Sequence, residues 1–413
     1  MMEADIVRRP DPTEVFDRDA AYVMQTYSRL PVVFVRGKGT RLWDSEGREY
    51  IDFLAGISVC SVGHCHPEVV EAIQRQSETL MHVSNLFYNE LQSRLAERLC
   101  GLTGMDRAFF ANSGAEANEC AIKIARKWGK RRRGPSCCNI ITLEGSFHGR
   151  TLATVTATAQ PKYQTPFTPL PTGFRYVAAG DLAALDRALD ESVCAIMLEP
   201  IQGESGINIL RDEYLQAVRA LCDEAEVLLI LDEVQSGMGR TGRFLASQHS
   251  GISGDIVTLA KALAGGVPMG VCMAKGSAAE TLEPGDHGST FGGQLLACAA
   301  AIAVLDVMER EGLMENAART GGHFIDELKK LAARHPKHIQ EVRGKGLMVG
   351  VELMDVDARN VRDRLLKAGV VVNAIGDRIL RFLPPLTVTP EECDTVIRSL
   401  DEALNDHNQE GKA

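Results

Sequence analysis

Two charged residues stand where apolar runs leave little room for charge. Lys261 lies between Leu259 and Leu263 in Thr258-Leu259-Ala260-Lys261-Ala262-Leu263, just ahead of Gly265-Gly266. Desolvation lowers a lysine's pKa and makes its amine nucleophilic, as Schiff-base chemistry requires. A snorkelling lysine that keeps its ammonium in water fits the same residues. Asp232, 29 residues earlier, closes the run Leu228-Leu229-Ile230-Leu231 and leads into Glu233-Val234-Gln235. An unpaired carboxylate at the end of a buried strand is expensive, so it needs a cationic or hydrogen-bonding partner. A protonated ring nitrogen would serve.

Two further strand ends carry polar residues that packing does not require. Phe110-Ala111-Asn112-Ser113-Gly114-Ala115-Glu116 runs into a helical pattern. Ser113 with Glu116 fits a capping box, and the same geometry aims backbone N–H groups at a phosphate. Gly145-Ser146-Phe147-His148-Gly149-Arg150 reads as surface packing beside a solvated charge. It reads equally as a ring that stacks on a flat cofactor, next to a guanidinium that forks onto a carboxylate. Ligands of open parallel sheets bind beyond the carboxyl ends of the strands, where all four segments fall. Joined in this order they are the parts pyridoxal phosphate needs: an amine for its aldehyde, a carboxylate for its pyridine nitrogen and N–H donors for its phosphate.

The elements that must position these residues follow from periodicity. Residues 1–30 are polar, with a short helix near 14–27, and the β-like runs 32–35, 41–43 and 50–53 suggest a small antiparallel meander. From about 68 helices alternate with buried strands. Helices are expected over 67–81, 90–102, 115–130 and 212–224, and strands over 107–111, 139–143, 193–198, 227–231 and 256–259. Strand, helix and strand within about 40 residues make a βαβ unit, so a parallel sheet with right-handed crossovers is expected. Helices over 294–310 and 313–334 follow. Then come runs 339–342, 347–353, 370–373 and 379–382, a helix near 358–368 and a last helix from Pro390, which suggest an α+β unit. The fold class is α/β: a large, mostly parallel-sheet domain over 67–307, with a smaller α+β domain made from both termini, 1–66 and 308–413.

One motif is a decoy. Gly237-Met238-Gly239-Arg240-Thr241-Gly242 matches G-x-G-x-x-G, but Asp232–Ser236 intervenes between the strand and the first glycine, and the residues after Gly242 are short and polar. A dinucleotide fingerprint needs a strand end at the first glycine and a long helix at the third.

Over nearly the whole chain, from about Tyr27 to the last helix, the sequence resembles the class III pyridoxal-phosphate aminotransferases of fold type I, most closely the acetylornithine branch. The likeness rests on Arg36-Gly37-Lys38-Gly39, Gly63-His64-Cys65-His66-Pro67, 112–119, Phe147-His148-Gly149-Arg150, 198–203, 232–242, Lys261, 287–293 and Arg381-Phe382. The resemblance implies that Lys261 joins the cofactor's aldehyde and later carries a proton, and that Asp232 holds the pyridine nitrogen protonated. It implies that Gln235 reaches the ring oxygen, that Phe147 stacks on the ring, and that Ser113, Gly114 and Ala115 bind the phosphate. Thr290, with Ser289, would come from the second subunit of a homodimer.

Arg150 would clamp a substrate carboxylate and Arg381 the α-carboxylate of 2-oxoglutarate. Glu204 would pair with Arg381 while the donor is bound, Glu199 would support the site and Tyr27 would sit near the donor. The implied reaction moves the δ-amine of N2-acetylornithine to 2-oxoglutarate in arginine synthesis, with succinyl-diaminopimelate as a second donor. Ornithine or 4-aminobutyrate transamination is the alternative within the class, and an aminomutase the alternative outside it. Ala55-Gly56-Ile57-Ser58-Val59 looks like the acetylornithine form, because ornithine-specific relatives tend to carry tyrosine where Ile57 stands. Gly293-Gln294-Leu295 replaces the usual Gly-Asn-Pro, and Ala115 stands where many relatives have threonine.

Composition sets the outer limits. With 413 residues, 45% hydrophobic and 24% charged, the chain is globular rather than disordered. A net charge of −10 argues against nucleic acid or an anionic membrane as the main partner. The basic run Lys127–Arg133 reads as a helix end. The 11 cysteines are odd in number and scattered, and Met1–Asp5 opens acidic and polar, so reduced thiols in a cytosolic protein are expected. His64-Cys65-His66 has no second pair at ligand spacing and reads as a turn, so no metal is expected. The longest stretch without Asp, Glu, Lys or Arg, 287–305, has only 295–305 apolar and reads as a buried helix.

Overall fold

The computed structural model describes residues 10–410; the acidic opening Met1–Asp5 lies outside them. Its centre is a seven-stranded sheet in the order Arg107–Ala111, Gly270–Ala274, Ile256–Leu259, Leu228–Asp232, Val193–Leu198, Asn139–Leu143, Phe174–Val177. Six strands are parallel, and Gly270–Ala274 runs against both neighbours. The mostly parallel sheet expected from the sequence is what forms, with this one antiparallel strand making it mixed. The reason is the link from Ile256–Leu259: residues 260–269 fall short of the dozen or so that a parallel crossover requires. Five of the seven strands match the apolar runs of the sequence. The central strand ends one residue later than its run, so Asp232 belongs to the strand itself.

The helix Gly114–Arg133 covers one face of this sheet with Ala117, Ala121, Ile124 and Trp128 buried. Ser113 Oγ accepts the N–H of Glu116 at its start, and Lys130–Arg133 complement the dipole at its end. The uncharged stretch becomes the buried helix Leu295–Arg310. Among the described residues no helix is long and apolar enough to cross a membrane. The first helix, Pro12–Tyr22, ends earlier than expected, because the Gln25 amide turns back onto the Asp19 and Val23 carbonyls (2.9 and 2.7 Å). Tyr27 therefore falls in a loop.

Smaller sheets flank the centre. The meander Phe34–Lys38, Arg41–Asp44, Glu49–Asp52 gains a fourth strand, Val370–Val371, from the far end of the chain. An antiparallel sheet in the order Ile339–Lys345, Met348–Leu353, Ile379–Phe382, Asn373–Ile375 carries Arg381. The run 370–373 thus serves two sheets rather than one strand.

The G-x-G-x-x-G decoy has a structural purpose. Gly239 and Gly242 take φ of +81° and +92°, and the turn delivers Arg240 into the interior, fully buried. Its guanidinium donates to Ser58 Oγ (2.9 Å), Ser61 Oγ (2.9 Å), Leu347 O (3.2 Å) and Pro384 O, so one side chain ties together segments from across the chain. Burial lowers its pKa to about 9, which still leaves it cationic at neutral pH.

His64 forms a turn, as its sequence suggested: it pairs through its backbone with Gly39, and its Nε2 lies 2.6 Å from Asp52 Oδ2. Among the described residues no cluster of His, Cys, Asp or Glu is arranged to hold a metal. Burial opposes charge on His64, but the Asp52 carboxylate and the Cys60 thiol raise its pKa to about 10. The folded chain thus keeps a proton that the unfolded chain gives up above pH 6.5. The pair's contribution to stability is complete below pH 6.5 and disappears as pH rises through about 10. Denaturation midpoints measured at the two ends of this window should fall more in the wild type than in His64→Gln. Asp52 Oδ1 also accepts the N–H groups of Leu54 and Ala55 (2.8 and 2.9 Å) and so secures the turn that leads to Val59 at the central cavity.

Candidate active site

A cavity of about 360 Å³ opens beyond the carboxyl ends of the central strands. It brings together Ser113, Gly114, Ala115, Phe147, Arg150, Glu199, Asp232, Gln235 and Lys261, contributed by separate stretches of the chain. Lys261 follows the strand Ile256–Leu259 as the first residue of a tight turn, with a left-handed φ of +46° that a β-carbon disfavours. Burial lowers its amine below the ordinary lysine range, opposed by Glu204 and assisted by the Arg381 guanidinium. A larger fraction of it is therefore unprotonated at neutral pH than in a surface lysine.

Asp232 is 3% exposed and sits in a polar network. Its Oδ2 accepts from Asn118 Nδ2 (2.7 Å) and contacts His148 Nδ1 (2.8 Å), while its Oδ1 accepts the N–H of Val234 (3.0 Å). Thr258 Oγ1 donates to Asn118 Oδ1 (2.7 Å) and fixes that amide in turn. His148 Nε2 is buried without a partner among the described residues. Asn118, His148 and Thr258 were not singled out in the sequence. Only the place of His148 inside Phe147–Arg150 pointed toward it.

A second network joins the cavity through Gln235. Arg381, 1% exposed, donates to Glu204 Oε1 (2.6 Å), Gly203 O (3.2 Å) and Asn373 Oδ1 (2.9 Å), and Gln235 Nε2 donates to the same Glu204 oxygen (3.0 Å). Burial pushes Glu204 up, but the Arg381 guanidinium, the Lys261 amine and the Gln235 amide together hold the carboxyl below its usual range. Glu199 accepts the N–H groups of Phe147 (2.8 Å) and Gly203 (3.3 Å). Burial first, and then the Asp232 carboxylate, raise its pKa well above the usual value.

The anion end departs from the expected capping box. Glu116 reaches back to the N–H of Asn112 (2.6 Å) rather than to that of Ser113. The amides at Gly114 and Ala115, which a helix's first turn leaves without intrahelical partners, border the cavity. Close packing fixes this cradle: a β-carbon on Gly114 would lie 2.8 Å from Val234 Cγ1, and one on Gly270 2.2 Å from Ser113 O. The residues present fit pyridoxal phosphate: an accessible amine, a desolvated carboxylate and the Phe147 ring in one cavity wall, with N–H donors at a helix start.

Five of the expected residues do not line this cavity: Glu204 and Arg381 reach it through Gln235, and Tyr27, Ser289 and Thr290 lie apart. Tyr27 is 74% exposed and stacks with Arg29. Ser289 Oγ accepts from Gly292 N (3.0 Å) and Asn112 Nδ2 (3.2 Å), and Thr290 beside it is exposed. The Gly-Gln-Leu departure has a local role, since Gln294 Oε1 accepts the N–H of Leu296 (3.0 Å) and caps the helix.

The sequence pattern of the aminotransferase class-III family matches residues 22–404. The chain is 51% identical over 385 residues to an acetylornithine aminotransferase of Caldanaerobacter subterraneus subsp. tengcongensis, covering 93% of this chain and 98% of that one. It is 50% identical over 390 residues to one of Methanocaldococcus jannaschii, covering 94% and 98%. Its fold matches a structure of ornithine aminotransferase from Toxoplasma gondii with a TM-score of 0.94 and 38% identity, over 98% of this chain and 96% of that one. That structure has PLP at partial occupancy at its active site.

Proposed function

The chain belongs to the class-III aminotransferases, and from that premise we propose that it transfers the δ-amine of N2-acetyl-L-ornithine to 2-oxoglutarate. The products are N-acetyl-L-glutamate 5-semialdehyde and L-glutamate. The observation that carries this reading is the opposite state of two arginines around Lys261. Arg150 lines the cavity with no hydrogen bond or ion pair among the described residues, open to a donor's carboxylate. Arg381 is masked by Glu204 and becomes available only when that carboxylate moves, as a dicarboxylic oxo acid would require.

Bound pyridoxal phosphate supplies an aldehyde that takes up an amine and a protonated ring that draws electrons from the attached carbon. The chain's residues do the rest. Asp232 keeps the ring nitrogen protonated, and Phe147 holds the ring's plane. The amides of Ser113, Gly114 and Ala115 hold its phosphate, and Gln235 reaches its oxygen. Lys261 Nζ retains the cofactor between turnovers and moves the proton from the donor's δ-carbon. Glu199 orders the Phe147 loop through its N–H, and Glu204 releases Arg381 for 2-oxoglutarate.

Ile57 supports an acylated donor. It packs against the apolar cluster of Ile201, Ile207, Met348 and Leu383, so that position offers no hydroxyl to a free α-amine. Succinyl-diaminopimelate has the same acylated α-amine and fits as a second donor. A donor panel tests the assignment: at equal concentration acetylornithine should turn over at least about tenfold faster than ornithine or 4-aminobutyrate, with strict dependence on 2-oxoglutarate. Faster turnover of free ornithine would overturn it, and turnover without an oxo acid would indicate an aminomutase.

The same proposal includes a homodimer in which Thr290, with Ser289, completes the partner's phosphate site. Thr290 lies outside its own chain's cavity, and nearby Leu86, Phe87, Tyr88 and Phe291 form an exposed apolar group suited to burial against a second copy. The proposed domains are a large one over 67–307 and a small one made of 1–66 and 308–413, which the pairing of Val370–Val371 with Glu49–Asp52 supports. A cytoplasmic location is supported by eleven free cysteines.

A further inference from the structure

We propose that Tyr163 is a positioning residue for the amine donor: its ring holds the Arg150 guanidinium with its N–H edge turned to the donor's carboxylate. The inference rests on Arg150 being the donor's clamp. Arg150 Cζ lies 3.9 Å from the centre of the Tyr163 ring and 5.4 Å from that of Phe147. The two rings meet edge to face at 6.0 Å and 82°. A guanidinium stacked on a ring is attracted through its face, while its donors stay in the plane and remain free for a planar, two-oxygen partner. Arg150 uses none of those donors on any described residue, so the ring contacts are what orient it.

Tyr163 is itself held in place by more than its own helix. Pro161–Gln164 is a single turn, too short to persist without outside support. Glutamines on either side of Tyr163 supply that support. Gln160 Nε2 donates to Ser146 O (2.9 Å) and Gly145 O (3.3 Å), in the loop that leads directly into Phe147. Gln164 Nε2 donates to Thr156 O and Thr158 O (both 2.9 Å), and Thr158 Oγ1 accepts the N–H of His148 (2.8 Å). The helix carrying Tyr163 and the loop carrying Phe147 and Arg150 are therefore fixed to the same short stretches of backbone. The ring's distance from the guanidinium is set by the fold.

A plain packing role would suit any apolar side chain of similar size. The contacts of this ring point elsewhere. It is half-buried, its neighbours include the Lys162 ammonium at 4.7 Å, and no hydrogen bond of its hydroxyl is present among the described residues. The aromatic face, and not the hydroxyl or the bulk, is what Arg150 uses.

The test separates these. Tyr163→Phe should leave donor KM within about twofold of wild type. Tyr163→Leu and Tyr163→Met should raise it roughly 3- to 10-fold, with the KM for 2-oxoglutarate and the rate at saturating donor unchanged. N-Acetyl-1,4-diaminobutane, which has the donor's chain and acyl group but no carboxylate, should react equally with wild type and these variants. The proposal fails if Tyr163→Phe is as impaired as Tyr163→Leu, if both KM values rise together, or if the carboxylate-free donor suffers equally. Arg150→Ala distinguishes failure of the premise: an unchanged donor KM there removes the clamp, whereas a raised KM there with normal Tyr163→Leu and Tyr163→Met removes only Tyr163's part. If Tyr163→Leu fails to fold, Tyr163→Met decides.

Discussion

Replacement of Lys261 by alanine should lower kcat for acetylornithine by about 10⁴-fold or more, because in the proposed mechanism one side chain serves as nucleophile and as proton carrier. Among the described residues Lys261 is the only lysine lining the cavity, and no other side chain there can replace it in both roles: the neighbouring acids are held by N–H groups or by Arg381. Lys261→Arg separates charge from chemistry. It restores a cation between Glu204, Asp232 and Glu199 but supplies no nucleophilic amine, so it should be as inactive as alanine. Both variants should also lose the visible absorption that the lysine-bound cofactor gives to the wild type. Steady-state rates together with absorption spectra of the purified proteins check this, and turnover within a hundredfold of wild type in either variant would rule out Lys261 as the reacting amine.

Much of this site was legible because the residues that matter interrupt an otherwise regular pattern. Strands buried on both faces give continuous apolar runs, so a charge at the end of one, such as Asp232 or Lys261, stands out. Two strands of the central sheet were not legible in the sequence. Phe174–Val177 is the sheet's edge, with only Val177 buried, and Gly270–Ala274, though buried throughout, follows a glycine-rich turn whose shortness, rather than its composition, reverses the strand.

The network beneath Asp232 was illegible for another reason. Asn118 reads as one of several polar residues on an amphipathic helix, and its partner Asp232 is 114 positions away. His148 and Asp232 are 84 apart. No local period encodes such a pairing. Tyr27, Ser289 and Thr290 were named from resemblance alone, and the single chain leaves them away from its own cavity.

That network makes Asp232→Asn the more informative of the large effects. Asparagine keeps the volume and can keep the Val234 N–H on its remaining oxygen, so the backbone has no reason to move. Its amide nitrogen, however, would face Asn118 Nδ2 and His148 Nδ1, both of which point at an acceptor in the wild type. Turning the asparagine around satisfies those two and abandons the Val234 N–H. Either way the buried carboxylate is gone, and removing one partner of a buried charge pair costs about 3–5 kcal/mol, which if lost from the transition state is a roughly 150- to 5,000-fold loss in kcat/KM. The pH dependence reports on mechanism. Under the proposed role, the wild-type carboxylate would keep the cofactor's ring nitrogen protonated across this pH range, so activity should not rise on acidification. In Asp232→Asn that proton must come from solvent, so the residual activity should increase as pH falls from about 8 toward 6. Asp232→Glu restores the charge in a longer chain that crowds Asn118 and His148, and it should recover part of the rate with the wild-type pH profile. A parallel loss at every pH in Asp232→Asn would mean that Asp232 supports the fold of the site rather than the charge on the ring.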